Sequence, residues 1–143
     1  MAEALFRDLV KDREDFEVAS AGVGAMPGQP ASHQTADIVA ELGLDLSDFA
    51  SSPLTAELVD AATHIFALAG HHAEIIEMDY PEAADKTYLV TEFSADDKIR
   101  GADISDPIGM GRRAYEQTLG MLQKSLPSLL AYIDQTSSRT PQA

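Results

Sequence analysis

Helical and strand-like patterns of apolar residues alternate along this chain, and that alternation restricts its fold more than any other sequence feature. Apolar residues spaced three and four apart indicate amphipathic helices, whereas short apolar or alternating runs indicate strands. Helices are predicted at residues 2–10, 35–42, 55–61, 72–78 and 112–133, and strands at residues 16–20, 64–68 and 87–90. This order predicts an α/β fold in which an open parallel sheet has helices on both faces, a three-layer α/β/α arrangement.

The first predicted helix, at residues 2–10, fits this plan only in part. In a parallel sheet a helix connects two strands, yet no strand pattern precedes Ala2. No Ser, Thr, Asp or Asn stands ahead of the helix to accept hydrogen bonds from its first N–H groups. The pattern therefore indicates a chain that begins inside a β-α-β unit.

The length and the ends of the sequence predict one domain. Residues 1–135 of the 143 are expected to form it, and residues 136–143 to form a polar, frayed tail. Pro127, inside the last helix, is expected to bend or divide that helix. The first eight residues include three charged side chains where a signal peptide is apolar, and no apolar stretch is long enough to cross a bilayer. A cytoplasmic protein is expected.

The composition excludes several partners and chemistries. The chain has 10 Lys and Arg against 24 Asp and Glu, which gives a formal net charge of −14. This excess of negative charge repels phosphate backbones and anionic bilayers, so neither nucleic acid nor a membrane surface is an expected partner. The sequence has no cysteine. Disulfides, thiolate metal sites and a cysteine nucleophile are therefore excluded within these 143 residues.

Five short motifs occur in the order found in one known family. They are residues 1–7 (MAEALFR), 20–22 with 27–31 (SAG and PGQPA), 41–47 (ELGLDLS), 81–86 (PEAADK), and 104–109 (ISDPIG) followed by Tyr115. In this order they resemble the low-molecular-weight protein-tyrosine phosphatases. The resemblance implies that family's fold, here without its first, central strand, and a site that uses neither a cofactor nor a metal ion.

The resemblance also implies a reaction and one site residue. Family members carry a C-x5-R-S loop directly before the segment that here begins at Met1. Its cysteine attacks phosphorus, while backbone N–H groups and the arginine bind the phosphate oxygens. An aspartate protonates the leaving group and later activates water. In this sequence only the aspartate has a counterpart, Asp106, which is the expected general acid.

Two explanations of the absent loop stay open. Either the coding sequence starts at an internal methionine and the full-length protein has the loop, or the chain is a remnant of the family. The start at Met1 favours the first explanation. Phe49 in place of a supporting histidine, and Leu68-Ala69 in place of Met-Thr, favour the second. The chain as given is expected to be inactive and of low stability, with unpaired strand edges that promote self-association.

The resemblance leaves more than one function. The first is hydrolysis of a phosphorylated protein, at phosphotyrosine or at phosphoarginine, because the residues that distinguish the two lie in the absent loop. The second is a non-catalytic binding or regulatory role. Arsenate reduction on the same fold is excluded, because that reaction needs further cysteines for a disulfide relay.

Other candidate residues have simpler interpretations. Asp103 is expected to be an exposed loop carboxylate without a chemical role. His71 and His72, adjacent on a helix, point about 100° apart and are not expected to share a metal ion. His64 is expected to be structural. The Gly-rich stretch at residues 22–28 has neither GxGxxG nor Lys-Ser/Thr, so no nucleotide loop is expected.

Overall fold

The computed structural model describes residues 1–23, 28–29, 31–46 and 49–138, so parts of the predicted loop motifs lie outside the described residues. The elements are α1 (Ala2–Leu9), α2 (His33–Glu41), α3 (Ala56–Ala61), β1 (Ile65–Ala67), α4 (Gly70–Asp79), a 3-10 helix (Pro81–Lys86), β2 (Thr87–Leu89) and α5 (Arg112–Ser138). β1 and β2 form an open parallel sheet accompanied by helices, so the predicted α/β class is confirmed. The chain separates into a first unit (Met1–Ala61 with Asp106–Leu119) and a second unit (Ala62–Ser105 with Gly120–Ala143).

The helices of the first unit begin and end near the predicted residues. The Ser32 hydroxyl accepts a hydrogen bond from the Thr35 N–H at 3.2 Å and caps α2. Gly43 follows that helix with a φ of +79°, a conformation that favours glycine. The Thr55 hydroxyl oxygen accepts from the N–H of Leu58, in α3, at 3.3 Å. The buried apolar side chains of this unit come from all its helices and from the residue that follows α1: Ala4, Val10, Ile38, Val39, Val59 and Tyr115.

The prediction of a strand at residues 16–20, called segment 16–20 below, is wrong. Side chains of α1, rather than a neighbouring strand, hold this segment in place. The Arg7 guanidinium donates a hydrogen bond to the Val18 carbonyl, and the Ser20 hydroxyl donates to the Glu3 carboxylate at 3.1 Å. Alternating residues favour an extended backbone, but a strand also requires a partner for its backbone hydrogen bonds. Among the described residues, segment 16–20 has no such partner.

In the second unit the two other predicted strands do pair. β1 and β2 run parallel, with Phe66 opposite Tyr88 at the middle of the register. The Val90 N–H extends the pairing by donating to the Ala67 carbonyl at 2.9 Å. α4 and the 3-10 helix supply the crossover that parallel strands require. The core of this unit is apolar and consists of Ala67, Ala69, Ile76, Ala83, Val90, Ile104, Leu122, Leu126, Leu129 and Ile133.

Five half-buried rings form one aromatic cluster in the second unit: His64, Phe66, Tyr88, Phe93 and Tyr132. Phe93 and Tyr132 stack with ring centroids 3.9 Å apart. The hydroxyl groups of Tyr132 and Tyr88 are hydrogen-bonded at 3.1 Å. This hydrogen bond, together with burial, raises the pKa of Tyr88 to about 12. The cluster joins both strands to α5.

α5 is one continuous helix that extends beyond its predicted end. Pro127 does not divide the helix, which continues to Ser138 rather than ending at residue 133. The proline ring is exposed, so the helix loses one backbone donor without forcing the ring into the core. Near the end, the Thr136 hydroxyl bonds the carbonyls of Tyr132 and Ile133, each at 3.0 Å. No described helix, α5 included, combines the length and apolar character of a membrane span.

Candidate active site

Asp106 lies on the exposed loop that leads into α5. Its Oδ1 accepts a hydrogen bond from the Ile108 N–H at 3.0 Å, which closes a turn around Pro107. The Met110 N–H then donates to the Pro107 carbonyl at 2.9 Å, and Gly109 has the φ of +78° that this second turn requires. Within the described residues, Asp106 makes no other side-chain hydrogen bond or ion pair. Its Oδ2 is therefore open to a ligand.

Asp103 makes a different contact from Asp106. Its Oδ1 accepts a hydrogen bond at 2.8 Å from the N–H of Gly70, the first residue of α4. The N-cap residue of that helix, Ala69, has no side chain that could do this. A carboxylate also suits the positive end of the helix dipole. Asp103 is thus a helix cap, which the sequence analysis missed because the two partners are 33 residues apart.

The N-terminus of α1 is where the resemblance expects phosphate to bind. The first N–H groups of any helix lack intrahelical partners. The N-cap residue of α1, Met1, makes no side-chain hydrogen bond that could satisfy one of them. Such a helix end favours an anion. Burial lowers the pKa of the Met1 amino group, which weakens the positive charge at this position.

A cavity of about 450 Å³ lies beside α1, and it is unsuited to phosphate. Its lining consists of Glu3, Ala4, Arg7, Asp8, Leu44, Asp45, Leu46 and Phe49. The guanidinium group of Arg7 is engaged by the Val18 carbonyl and by Glu3, whose carboxylate lies 3.6 Å away. The remaining charged groups of the lining are carboxylates, which repel a phosphate dianion. The cavity therefore does not replace the C-x5-R-S loop.

Arg112 connects the start of α5 to α2. Its Nη2 donates a hydrogen bond to the carboxylate of Glu41, the last residue of α2, and its Nε donates to Glu116 at 2.9 Å. The bonds to Glu116 and Glu41 raise the pKa of the Arg112 guanidinium. The spacing of four residues could have predicted the pairing with Glu116. Glu41 is 71 residues away, and no local pattern indicates it.

His64, His71 and His72 each contact at least one other side chain. The rings of His71 and His72 lie 4.1 Å apart between centroids. In the part of the chain that the structure describes, no group of three or more His, Asp or Glu residues could hold a metal ion. His64 contacts the Thr63 hydroxyl through Nδ1 at 3.0 Å and that of Thr136 through Nε2 at 2.8 Å. Burial lowers the pKa of His64.

Within the described residues, the expected site supplies a carboxyl group, and the sequence supplies no thiol. Asp106 offers a carboxyl group on an exposed loop. The sequence has no cysteine that could form a phosphocysteine.

Comparison with known proteins supports the motif order noted in the sequence. The family model described as "Low molecular weight phosphotyrosine protein phosphatase" matches residues 1–139. A protein-arginine-phosphatase of Geobacillus stearothermophilus is 37% identical over 129 residues, which cover 90% of this chain and 83% of the relative.

Solved structures show the same fold. The YwlE arginine phosphatase from Geobacillus stearothermophilus is similar with a TM-score of 0.84 and 30% identity, over 99% of this chain and 88% of that one. A low molecular weight protein tyrosine phosphatase from T. tengcongensis has a TM-score of 0.82 and 32% identity, over 92% and 88% of the two chains. The predicted family fold is confirmed, and the chain belongs to the low molecular weight phosphotyrosine protein phosphatase family.

Proposed function

We propose that this chain carries the general acid of a phosphomonoester hydrolase of the protein-tyrosine-phosphatase type. Asp106 is that acid, and phosphorylated proteins are the substrates. One observation supports the proposal above all others. The aspartate of an Asp-Pro motif, in a member of this family, lies on an exposed loop with one carboxyl oxygen held and the other open.

Because the Ile108 N–H donates to only one oxygen of Asp106, the two carboxyl oxygens differ in which one can carry the proton. Oδ1 accepts a backbone N–H, so it acts as the carbonyl oxygen of the protonated acid. The proton is then carried by Oδ2. In a form that carries a C-x5-R-S loop before Met1, the thiolate of that loop attacks phosphorus, the P–O bond to the leaving group breaks, and Oδ2 transfers its proton to the departing oxygen. The resulting carboxylate takes a proton from the water that cleaves the P–S bond.

The 143-residue chain by itself is proposed to be inactive, because it has no thiol to form the phosphoenzyme. The test compares the purified chain with the same chain joined at Met1 to a strand and a C-x5-R-S loop. Only the joined form should hydrolyse aryl phosphates. Vanadate-sensitive hydrolysis by the purified chain would disprove this part of the proposal.

In the joined form, Asp106→Asn should lower hydrolysis by roughly 10²–10⁴-fold, the usual contribution of one general acid. Substrates with poor leaving groups should lose most, because they need the proton most. Asp103→Asn is the matched control, since asparagine keeps the oxygen that accepts the Gly70 N–H. Equal losses in the two variants would show that the general acid is assigned wrongly.

Phosphoarginine proteins are a second substrate class. The supporting observation is the 37% identity to a protein-arginine-phosphatase, over 90% of this chain. The joined form, assayed on paired peptides with phosphotyrosine or phosphoarginine, distinguishes the two classes through the ratio of kcat/KM. A non-catalytic binding role is the alternative if the joined form hydrolyses neither peptide.

The isolated chain is also proposed to associate with itself through strand edges. Segment 16–20 has no paired strand, and β1 has one strand neighbour among the described residues. Unpaired edges of this kind promote association. Sedimentation should therefore show dimers or larger species, and a monomer with a sharp, reversible unfolding transition would contradict the proposal. A phosphatase domain at residues 1–135, a polar tail at 136–143 and a cytoplasmic location stay predictions.

A further inference from the structure

The loop that carries Asp106 has little packing of its own to fix its position. Residues 106–111 are mostly exposed, and the apolar side chains of Ile108 and Met110 are 68% and 57% exposed. The two hydrogen bonds that shape the loop, to Asp106 Oδ1 and to the Pro107 carbonyl, are both internal. They determine the shape of the loop but do not attach it to another element.

Arg112 directly follows this loop and attaches its end to a helix. Of the two carboxylates that Arg112 contacts, Glu116 lies on α5 itself and moves with it. Glu41 lies at the end of α2, a helix whose Ile38 and Val39 are fully buried. The bond to Glu41 is thus the one of this pair that anchors the loop to a separately packed element.

The bond between Arg112 and Glu41 also affects the balance of charge at the start of α5. The first turn of α5 contains Arg112 and Arg113 and no acidic residue, so two cations oppose the positive end of the helix dipole. The Glu41 carboxylate offsets part of this repulsion at Arg112. Without Glu41, the first turn of α5 would fray more readily, and the loop would lose its fixed end.

We propose that the Arg112–Glu41 pair is a positioning contact for the general acid. The pair fixes where the loop leaves α5 and thereby where the Asp106 carboxyl group lies relative to the leaving oxygen. The proposal rests on the proposed function, because it takes Asp106 as the general acid. Neither Arg112 nor Glu41 is assigned contact with the substrate.

The first test uses the 143-residue chain and needs no activity. Amide hydrogen exchange of Ile108 and Met110 is measured by NMR in Glu41→Gln and in the matched control Glu116→Gln. Exposed ion pairs contribute little, so we expect Glu41→Gln to speed both amides by about twofold to fivefold. Glu41→Gln removes the carboxylate charge that pairs with Arg112, whereas Glu116→Gln keeps this ion pair to α2 and should therefore change the two amides less. Equal changes in the two variants, or none, would overturn the proposal.

The second test uses the form joined to the C-x5-R-S loop. Glu41→Gln should lower kcat by about twofold to fivefold for poor leaving groups and leave good leaving groups and KM nearly unchanged. Added to Asp106→Asn, it should have no further effect, because it acts through that carboxyl group. Glu41→Asp should restore part of the loss.

The outcomes separate this inference from the proposed function. If Asp106→Asn leaves hydrolysis unchanged, both proposals fail. If Asp106→Asn lowers hydrolysis but Glu41→Gln does not, only the positioning role fails. A loss from Glu41→Gln that is equal for all leaving groups, or that persists in the Asp106→Asn background, indicates a merely structural contact and also overturns it.

Discussion

The first and second units stabilise their extended segments in different ways. In the second unit, one edge of β1 pairs with β2, and a ring from each of these strands belongs to the aromatic cluster. In the first unit, segment 16–20 is held by side chains of α1: a guanidinium on the Val18 carbonyl, a carboxylate on the Ser20 hydroxyl, and the ring of Phe6 against that of Phe16. Side-chain contacts of this kind position an extended segment without giving it the cooperative ladder of a sheet.

The largest expected effect on the free energy of unfolding comes from replacing one phenylalanine by alanine in each of these two regions. Phe66→Ala removes a ring of β1 that contacts His64 and Tyr88, and we expect a loss of about 2–3 kcal/mol in the free energy of unfolding. Phe16→Ala removes a ring that contacts Phe6 and the Arg13 guanidinium, and we expect about 1 kcal/mol. Urea unfolding followed by circular dichroism measures both. An equal or larger loss from Phe16→Ala would remove the difference between the units.

A second comparison concerns the two aspartates. Asp103→Ala deprives α4 of its cap and should destabilise the protein by about 1 kcal/mol. Asp106→Ala removes one loop hydrogen bond at an exposed position and should change the unfolding free energy by no more than about 0.5 kcal/mol. Thermal unfolding of the two variants tests this. A larger loss from Asp106→Ala would mean that the loop stabilises the first unit more than its contacts indicate.

One substitution should stabilise the second unit. The Ser125 hydroxyl in α5 is fully buried, and no described group is hydrogen-bonded to it. Ser125→Ala removes this desolvated group and should raise the unfolding free energy by up to about 1 kcal/mol. Ser128→Ala, on the same helix at a half-buried position, is the control for helix propensity. If the two variants gain equally, the hydroxyl of Ser125 costs the fold nothing.

The smallest expected effect is a pH dependence from His64. Burial lowers its pKa in the folded protein below the unfolded value near 6.5. The unfolded chain therefore binds the proton more readily, and this contribution to stability is complete above about pH 6.5 and is lost as the pH falls below it. Unfolding between about pH 7.5 and 5.5 should show a slope that His64→Gln reduces. His33→Gln, at an exposed position of the first unit, is the control substitution.

Local patterns predicted the parts of this fold that depend on neighbours in sequence. Ser32, Thr55 and Gly43 delimit helices through bonds and angles within a few residues, and a short apolar run was sufficient to predict β1. The prediction of a strand at segment 16–20 was wrong because a strand needs a partner, and periodicity does not specify which residues supply that partner. For the same reason, the interpretation of Asp106 came from the resemblance to a family rather than from its own surroundings.

The contacts around the candidate site show the same limit. The bond between Asp103 and Gly70 spans 33 residues, and that between Arg112 and Glu41 spans 71. For each of these polar side chains, many other residues of the chain have the chemistry to be its partner. Only the fold selects the partner, so charge and spacing alone could not have predicted either contact.

The pairing of Tyr88 with Tyr132 has an optical consequence. The chain contains four tyrosines and no tryptophan, so tyrosine dominates its near-ultraviolet absorbance. The hydrogen bond with Tyr132 raises the pKa of Tyr88 to about 12, whereas the pKa of an unperturbed tyrosine is near 10. A spectrophotometric titration in alkali should therefore contain a late phenolate step that belongs to the second unit. When that unit unfolds, the late step should merge with the phenolate step of unperturbed tyrosines. Tyrosine absorbance in alkali therefore reports unfolding of this part of the chain without an added label.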